Sequence, residues 1–235
     1  SGHHRRHGDL ISPAPEAGRS VPIPTSRESS MRSIRLALFD MDDVVYTYTR
    51  ADRIAHIASV TGLDPEFIKE RIWGEGLEAA ADGGAFPTPE LYIASWRDRL
   101  GYPLAVEDWV EARRLGMRPI PGTLAIIERL IVAGTTVGVL TNNGPLVHAH
   151  RETLAPDLAR LAGDRFLVSS SFSTLKPDPQ VFHRALAQLG FLPEESFFTD
   201  DMPENVEGAR AAGLLGAVFT TPAALEAELV SLGLL

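Results

Sequence analysis

The chain contains no cysteine, and this absence removes several kinds of chemistry at once. Disulfide bonds, thiolate metal sites and a cysteine nucleophile are all excluded. Long apolar runs are missing too, because the best candidate, residues 124–140, is interrupted by Glu128 and Arg129. A membrane-spanning helix needs about 20 mostly apolar residues. We therefore expect a cytoplasmic protein with no membrane partner.

Basic residues are scarce as well. Lysine and arginine together number 22 against 31 aspartates and glutamates, which gives a formal net charge of −9. A nucleic-acid-binding surface needs a basic patch, so no nucleic-acid partner is expected. No G-x-x-x-x-G-K-[ST] loop is present and no G-x-G-x-x-G follows a predicted strand, so a nucleotide cofactor is not indicated. An anionic substrate would need a local cation in so acidic a chain.

Residues 1–30 differ in composition from the rest. They are rich in serine, proline, glycine and arginine, and they show no apolar periodicity. Such a segment cannot bury enough apolar surface to fold. We expect a disordered tail or a cloning remnant, with Met31 as a plausible natural start.

Five short apolar runs alternate with helical patterns from residue 34 onward. The runs are residues 34–39, 136–140, 166–170, 196–199 and 216–220. Helices are predicted at residues 122–133, 144–162, 179–190, 203–213 and 222–233. This alternation predicts an α/β fold with a parallel sheet covered by helices on both faces.

The interval between residues 46 and 117 breaks this alternation. It holds four segments with apolar residues at three- and four-residue steps and no convincing strand. Asp64-Pro65 and Thr88-Pro89 are typical helix starts. We expect a helical cap at residues 47–117, inserted into a catalytic core formed by residues 31–46 and 118–235.

Polar side chains follow four of the predicted strands. In a parallel α/β sheet, ligands bind beyond the carboxyl ends of the strands, so these side chains are expected to meet at one edge. They are Asp40, Asp42, Thr141, Asn142, Lys176, Asp200 and Asp201.

This set of side chains suits phosphoryl transfer. Aspartates at two strand ends can provide the oxygen ligands that Mg²⁺ prefers. Lys176 and the metal would supply positive charge to a phosphate, and Thr141 and Asn142 could donate hydrogen bonds to its oxygens. A carboxylate can act as the nucleophile, and Asp42 could protonate the leaving alcohol and later activate water.

The ordered set Asp40-x-Asp42, Thr141, Lys176-Pro-Asp and Asp200-Asp201, with a helical insert after the first motif, resembles the haloacid dehalogenase (HAD) superfamily. The match runs from about residue 35 to residue 219. Within the superfamily, the chain more narrowly resembles the subgroup that has a small helical cap. The resemblance implies a HAD-like, Rossmann-like three-layer αβα core and a Mg²⁺ cofactor.

The resemblance also implies roles for single residues. Asp40 matches the nucleophile and a metal ligand, and Asp42 matches the general acid/base, whose backbone carbonyl also binds metal. The phosphate-binding motif is matched by Thr141 and Asn142, and Lys176 matches the lysine that screens nucleophile and phosphate. The fourth motif supplies Asp201 as a direct metal ligand, Asp200 in a supporting or shared role, and Asn205 as a support of these ligands.

Asp43 departs from the family pattern, in which glycine is usual at this position. We expect it to face solvent or to cap a turn. Asp178 is interpreted as a helix N-cap, and His148 and His150 as surface or packing residues. Trp73 and Trp96 are expected in the core of the cap. The candidates for the cap side of the pocket are Tyr46, Trp73, Glu75 and Arg113.

The leading hypothesis is a Mg²⁺-dependent phosphomonoester hydrolase that acts on a small phosphorylated metabolite through an aspartyl-phosphate. Looser similarity to the bacterial α-glucose-1-phosphatase group and to the phosphatase domain of soluble epoxide hydrolase favours a sugar phosphate such as glucose 1-phosphate. Asp42 argues against dehalogenation, which needs no leaving-group acid. The protein is expected to be a monomer or a homodimer.

Two alternatives stay open. A phosphomutase resembling β-phosphoglucomutase would use the same four motifs but return the phosphoryl group to a sugar. A receiver-like phospho-acceptor module also combines acidic residues, threonine, lysine and Mg²⁺. In receivers, however, the acidic pair comes first in the chain, whereas here it comes last.

Overall fold

The computed structural model describes residues 33–235, so the prediction of a disordered tail at residues 1–30 lies outside the described part. The described residues form seven strands: β1 Leu36–Phe39, β2 Tyr46–Tyr48, β3 Met117–Pro119, β4 Thr136–Thr141, β5 Phe166–Val168, β6 Ser196–Asp200 and β7 Leu215–Val218. Five of them form one parallel sheet in the order β5-β4-β1-β6-β7, and β2 and β3 form an antiparallel ribbon.

Helices fill most of the intervals between the strands. Over the same residues they are α1 Arg50–Thr61, α2 Pro65–Lys69, α3 Leu77–Asp82, α4 Pro89–Leu100, α5 Val106–Leu115, α6 Pro121–Val132, α7 Pro145–Ala149, α8 Arg151–Leu154, α9 Pro156–Ala162, α10 Pro179–Leu189, α11 Pro203–Ala211 and α12 Pro222–Ser231. A π-helical turn, Glu70–Gly74, joins α2 to α3. The side chains of Asp64, Thr88 and Asp178 accept hydrogen bonds from first-turn amides, as their Asx/Thr-Pro sequences predict.

The central strand β1 is buried along its whole length. Leu36 lies opposite Thr136 of β4 and Ser196 of β6. Successive side chains of a strand point to opposite faces. Leu36 and Leu38 accordingly pack in a cluster with residues of α10 and α11, whereas Ala37 and Phe39 pack in a second cluster with residues of α6, α9 and α12. The predicted α/β fold with a sheet covered on both faces is confirmed.

Some local predictions were wrong. The helix predicted at residues 144–162 is three short helices, because Pro156 begins a new helix and the residue before a proline is disfavoured in helical geometry. Ala155 accordingly has φ −140°. The strand predicted at 166–170 ends at Val168 and continues as a 3₁₀ turn, Ser169–Phe172. The β2–β3 ribbon was not predicted, because each strand has three residues and too little pattern to detect.

Helices α1 to α5, residues 50–115, lie between the two strands of the ribbon and are called the helical insert below. Trp96 and Trp109 are buried at its centre with ring centroids 6.4 Å apart, and Tyr92 contacts both rings edge-on. The predicted cap therefore has its own aromatic packing, and its boundaries at residues 47 and 117 stay a prediction. None of the helices in residues 33–235 is long and apolar enough to cross a membrane.

Candidate active site

The sheet brings the polar strand ends to one edge, as the sequence predicts. A cavity of about 630 Å³ opens there, called the catalytic cavity below. Strand β1 delivers the two aspartates of the first motif, β4 delivers threonine and asparagine, β6 delivers the aspartate pair, and the loop after β5 delivers the lysine. The predicted site residues lining this cavity are Asp40, Asp42, Thr141, Asn142, Lys176, Asp201 and Asn205.

Lys176 is the cation at the base of the site. Its Nζ lies 2.9 Å from Asp40 Oδ1 and 2.6 Å from Asp200 Oδ2, and its side chain is 1% exposed. Burial acts to lower the pKa of this lysine, but Asp40 and Asp200 outweigh it and raise the pKa above its ordinary value. Lys176 therefore carries its charge among buried carboxylates, where the acidic chain needs a cation to receive an anion.

The pKa of Asp40 is raised to about 7, chiefly by burial. Lys176 opposes this rise, and the neighbouring carboxylates of Asp200 and Asp42 add to it. The carboxylate of Asp40 is thus crowded by two other carboxylates, and Lys176 is the cation in contact with it. A further cation would favour the ionised form that a nucleophile requires.

Asp40, Asp200 and Asp201 could hold that cation. Each offers one carboxylate oxygen, and the three atoms lie within 4.8 Å of one another. Burial, followed by the charges of Asp200 and Asp43, raises the pKa of Asp201 to about 6. Such crowding of hard oxygen donors at a cavity wall fits Mg²⁺, which binds through one or two carboxylates together with water and phosphate.

Asp200 is fixed from three sides. Besides Lys176, its carboxylate accepts from the Met202 amide at 2.9 Å and from Asn205 Nδ2 at 3.0 Å. Asp200 has no exposed surface, and these three contacts hold its carboxylate in place. Asp201 is partly exposed to the cavity and is the more accessible of the pair.

The strand-end asparagines have different contacts from those that the sequence suggested. Asn142 Oδ1 accepts from the Lys176 amide and its Nδ2 donates to the Lys176 carbonyl, both at 2.9 Å. Its side chain therefore clamps the main chain of the lysine, and a hydrogen bond to phosphate would have to come from elsewhere on this residue. Asn143 was not among the predicted site residues. Its Nδ2 donates to Thr141 Oγ1 at 2.7 Å and to Asp42 Oδ2 at 3.3 Å.

Asp42 is joined to the helical insert by Arg113, which comes from α5. One guanidinium nitrogen of Arg113 lies 2.8 Å and 2.6 Å from the two oxygens of Asp42. The same nitrogen lies 3.3 Å from Asn143 Oδ1, and the guanidinium carbon is 4.0 Å from the centre of the Tyr48 ring. Sequence reasoning named Arg113 as a cap-side candidate but could not identify its partner, 71 residues away.

Asp43 caps a turn, as expected. Its φ of 59° lies in the left-handed region, which explains why glycine suits this position. Asp43 Oδ1 accepts from the Tyr48 amide at 2.9 Å and thereby holds the last residue of β2. Asp43 also lines the catalytic cavity, so it contributes charge there without a contact to Asp40 or Lys176.

A second cavity of about 320 Å³ adjoins the first and is called the cap-side chamber below. Both cavities are lined by Asp42, Arg50, Asp82 and Asn142. The other polar and aromatic residues of the cap-side chamber are Tyr48, Arg53, Trp73, Glu78, Arg113 and Asn143. Of the four cap-side candidates, Trp73 and Arg113 are therefore present.

The other two candidates lie elsewhere. Tyr46 is buried in the core, and Glu75 forms ion pairs with Arg71 and Arg99. His148 and His150 are absent from the linings of both cavities, consistent with the interpretation that they are surface or packing residues.

The cap-side chamber has mixed charge. Arg53 is buried against the rings of Trp73, Trp96 and Trp109 at 4.7–5.3 Å, and its Nη1 bonds to Glu78 at 2.8 Å. Burial, together with the charge of Glu78, raises the pKa of Asp82 well above its ordinary value. The charged side chains, the two asparagines and the Tyr48 hydroxyl offer hydrogen bonds to an uncharged polar group, and the Trp73 ring offers an apolar surface.

The parallel sheet and the strand-end cluster of aspartates, lysine and threonine place the chain among α/β enzymes. The profile of the hydrolase family described as haloacid dehalogenase-like matches residues 34–213. The chain belongs to this family, and the resemblance to the HAD superfamily is confirmed. The narrower similarity to the α-glucose-1-phosphatase group stays a prediction.

Individual relatives and structures agree with this assignment. The chain is 32% identical to phosphatase MT3486 of Mycobacterium tuberculosis, over 77% of this chain and 85% of the relative. It is 31% identical to an N-acetylmuramic acid 6-phosphate phosphatase of Pseudomonas aeruginosa, over 78% and 81%. The fold is similar to that of the HAD enzyme BT-2542 of Bacteroides thetaiotaomicron, crystallised with magnesium and inorganic phosphate. The TM-score is 0.67, with 19% identity over 80% of this chain and 95% of that one.

Proposed function

We propose that this chain is a Mg²⁺-dependent phosphomonoester hydrolase that forms an aspartyl-phosphate on Asp40. The observation that carries the proposal is the arrangement around Asp40 Oδ1, where Lys176 Nζ lies at 2.9 Å. One carboxylate oxygen each of Asp40, Asp200 and Asp201 lies within 4.8 Å of the others, close enough to share a metal ion. The phosphatase relatives of the chain support the same reaction class.

The first step transfers the phosphoryl group to the protein. A carboxylate oxygen of Asp40 forms a bond to phosphorus while the bond from phosphorus to the ester oxygen breaks. Asp42 gives its proton to that departing oxygen, so the leaving group is released as an alcohol. Lys176 stabilises the charge on the phosphoryl oxygens, and a bound Mg²⁺ would add electrostatic stabilisation of the same charge.

The second step restores the enzyme. Asp42, now a carboxylate, takes a proton from a water molecule whose oxygen bonds to phosphorus. The bond between phosphorus and Asp40 then breaks, and inorganic phosphate leaves with Asp40 ionised and Asp42 protonated. Thr141 is proposed to donate to a phosphoryl oxygen. The side chain of Asn142 keeps Lys176 in place through its two main-chain hydrogen bonds.

The proposed substrate is a small phosphorylated metabolite, with a sugar phosphate such as glucose 1-phosphate as the first candidate. The cap-side chamber opens from the position of Asp42, where the leaving group would lie. Its arginines, acidic residues and Trp73 ring match the hydroxyls and apolar face of a sugar. A relative that acts on N-acetylmuramic acid 6-phosphate supports this class of substrate.

The test of the reaction is the Asp40→Asn variant. It removes the nucleophilic oxygen and keeps the size of the side chain, so turnover should be lost while the circular dichroism spectrum is unchanged. Wild-type activity should also disappear in EDTA and return with Mg²⁺. Activity that survives either treatment would contradict the mechanism.

Product analysis on a panel of sugar phosphates, glycolate phosphate and nucleotides identifies the substrate and separates the alternatives. Net phosphate release is expected from the preferred sugar phosphate. Isomerisation of β-glucose 1-phosphate without net release, dependent on a bisphosphate activator, would indicate the phosphomutase instead. A stable phosphoprotein without turnover would indicate the receiver-like module.

We also propose that residues 47–117 act as a cap domain over the core formed by residues 31–46 and 118–235. A cytoplasmic location and a monomeric or homodimeric state belong to the same proposal. Limited proteolysis with and without phosphate and Mg²⁺ would test the cap boundary, and light scattering would test the oligomeric state.

A further inference from the structure

The contact between Arg113 and Asp42 is the direct ionic link from the helical insert to the proposed acid/base. Trp109, Ala112 and Arg113 are all buried on α5, which packs along α1. Trp109 and Arg113 are four residues apart and therefore lie on one side of the helix. The packed tryptophan fixes the helix, and the arginine extends from the same side to the loop after β1.

Arg113 is held at several points. Its side chain is 2% exposed and lies over the Tyr48 ring. Its Nη2 bonds to both oxygens of Asp42 and to Asn143 Oδ1. Among the residues that the structure describes, Asp42 is the only carboxylate within hydrogen-bond distance of Arg113. The guanidinium therefore has little freedom to serve another group while this contact exists.

Asp42 in turn has its orientation set by this contact. A carboxylate on a loop can rotate about its own side-chain bonds, and charge-assisted hydrogen bonds are the strongest restraint available to it. Arg113 reaches both oxygens, and Asn143 Nδ2 adds a longer contact to Oδ2.

The position of Asp42 makes this orientation important. Asp42 lines both the catalytic cavity and the cap-side chamber, so it lies where the bond between phosphorus and the leaving oxygen would be. Arg113 lines the chamber and is absent from the lining of the catalytic cavity, which contains Lys176. An effect of Arg113 on catalysis would thus pass through Asp42 and not through the phosphoryl group.

We propose that Arg113 is a positioning residue that holds Asp42 toward the leaving-group oxygen, so that proton donation depends on the placement of α5. This inference rests on the proposed phosphatase function. Its consequence is selective. An alkoxide leaving group needs a proton as it departs, whereas p-nitrophenolate is stable enough to leave without one. Loss of Arg113 should therefore harm hydrolysis of an alkyl phosphate much more than hydrolysis of p-nitrophenyl phosphate.

The experiment compares kcat/KM for both esters, because kcat/KM reports the steps through release of the leaving group. In Arg113→Met, we expect kcat/KM for the alkyl phosphate to fall by about 10-fold or more, since a positioned general acid contributes 10²–10⁴-fold. For p-nitrophenyl phosphate the change should stay within about threefold. Equal losses for the two esters, or no loss for either, would overturn the proposal.

Arg114→Met is the matched control. Arg114 is the next residue on α5, its side chain is 48% exposed, and it pairs with Glu111 on the same helix. This variant removes the same charge without touching Asp42, so both kcat/KM values should be unchanged. If Arg114→Met reproduced the selective loss, the effect would belong to net charge or helix stability, and the proposal would be wrong.

A double-mutant cycle with Asp42→Asn shows whether Arg113 acts through Asp42. Once Asp42 cannot donate a proton, Arg113→Met should cause no further loss on the alkyl phosphate. A loss as large as in the wild-type background would show that Arg113 acts elsewhere. Should Arg113→Met fail to fold, Arg113→Lys replaces it in the same cycle. A wild-type chain that hydrolyses neither ester would contradict the proposed function itself.

Discussion

The buried charges around Lys176 depend on one another, because a charge without a partner is costly to bury. Lys176 faces Asp40 and Asp200 with almost no access to water. Removal of one partner from a buried ionic group leaves the others uncompensated. The sequence placed all three residues near one sheet edge. The distances between their atoms depend on how the loop before Pro177 turns back onto β6, which no local pattern encodes.

Lys176→Ala should lower turnover by at least ~10²-fold, comparable with the loss of one preorganised electrostatic contact. The cause is the removal of positive charge from both the nucleophile and the incoming phosphate. Phosphate release is the measurement, made at a temperature where circular dichroism shows the variant folded. Lys69→Ala is the control, because Lys69 is exposed and pairs with Glu66, outside the lining of the catalytic cavity in the described structure. An unchanged rate in Lys176→Ala would show that the lysine has no role in the reaction.

The contrast between Asn142 and Asn143 shows a second limit of sequence reasoning at this scale. The motif predicts that Asn142 binds phosphate, which stays a prediction, and it gave no sign that the Asn142 side chain binds the main chain of Lys176. Asn143 carried no signal beyond its tendency to occur in turns, yet it connects Thr141 with Asp42. The two adjacent asparagines make different contacts because the backbone after β4 directs their side chains to different neighbours.

At the scale of elements, helix α11 packs against the loop that carries Lys176. Gly208 makes this possible, because a Cβ atom at this position would lie 2.1 Å from the carbonyl oxygen of Pro177. Asn205, one turn earlier on the same helix, donates to Asp200. The distance between α11 and the loop that carries Lys176 therefore influences the position of Asp200, one of the proposed metal ligands.

Gly208→Ala should destabilise the protein and reduce turnover. Alanine favours a helix over glycine by about 1 kcal/mol, but overpacking against fixed backbone costs about 1–3 kcal/mol. The steric cost should prevail, since a backbone carbonyl cannot rotate away as a side chain can. Thermal unfolding and phosphate release measure the two effects.

Glu207→Ala provides the comparison for this variant. Glu207 is exposed on the same helix and pairs with Arg210, so its replacement should leave activity unchanged. A Gly208→Ala protein that is more stable than the wild type would show that α11 moves freely and that the close contact has no importance.

Local sequence patterns predicted the strands of the core better than the short elements that connect them. Apolar runs identified all five strands of the parallel sheet within two residues. The signal is clearest for β1, because a strand buried along its whole length is continuously apolar. The ribbon of β2 and β3 was not predicted from the sequence. Its strands pair across 71 residues, and Tyr46 is the one buried residue of β2. Pairing over such a distance is decided by the fold of the helical insert.

The whole chain has a formal net charge of −9, and six acidic side chains line the catalytic cavity together with Arg50 and Lys176. The pKa values of Asp40 and Asp201 are raised to about 7 and about 6 from an ordinary value of 3.8. A carboxyl group with a raised pKa binds its proton more tightly in the folded state. Without a metal, these two groups therefore cause stability to decrease as the pH rises through 6 and 7.

Mg²⁺ should raise the melting temperature more at pH 8 than at pH 6. At pH 8 the clustered carboxylates are ionised and repel one another, and a cation that binds only the folded state stabilises it by mass action. At pH 6 protons neutralise part of the same cluster and compete with the metal. The measurement is the melting temperature in Mg²⁺ minus the melting temperature in EDTA at the same pH. Histidine titration affects both temperatures equally, so it cancels in this difference.

Asp201→Asn is the control for this prediction, because it removes one proposed ligand and one of the raised groups. The difference between Mg²⁺ and EDTA should shrink in this variant at pH 8. A Mg²⁺ effect that is the same at both pH values, or that survives Asp201→Asn in full, would show that the metal stabilises the protein at another place.

The sequence by itself determined the α/β class, the order of the core elements and the residues that meet at the carboxyl edge of the sheet. It could do so because buried strands, helix caps and strand-end carboxylates leave local patterns in the chain. Only the tertiary structure decided that Asn142 holds Lys176, that Asn143 joins two motifs, and that Arg113 reaches Asp42 from the helical insert. The contacts of Asn142 with Lys176, of Arg113 with Asp42 and of Asn143 with Asp42 join residues 34, 71 and 101 positions apart, and their geometry depends on packing that no local segment of the chain specifies.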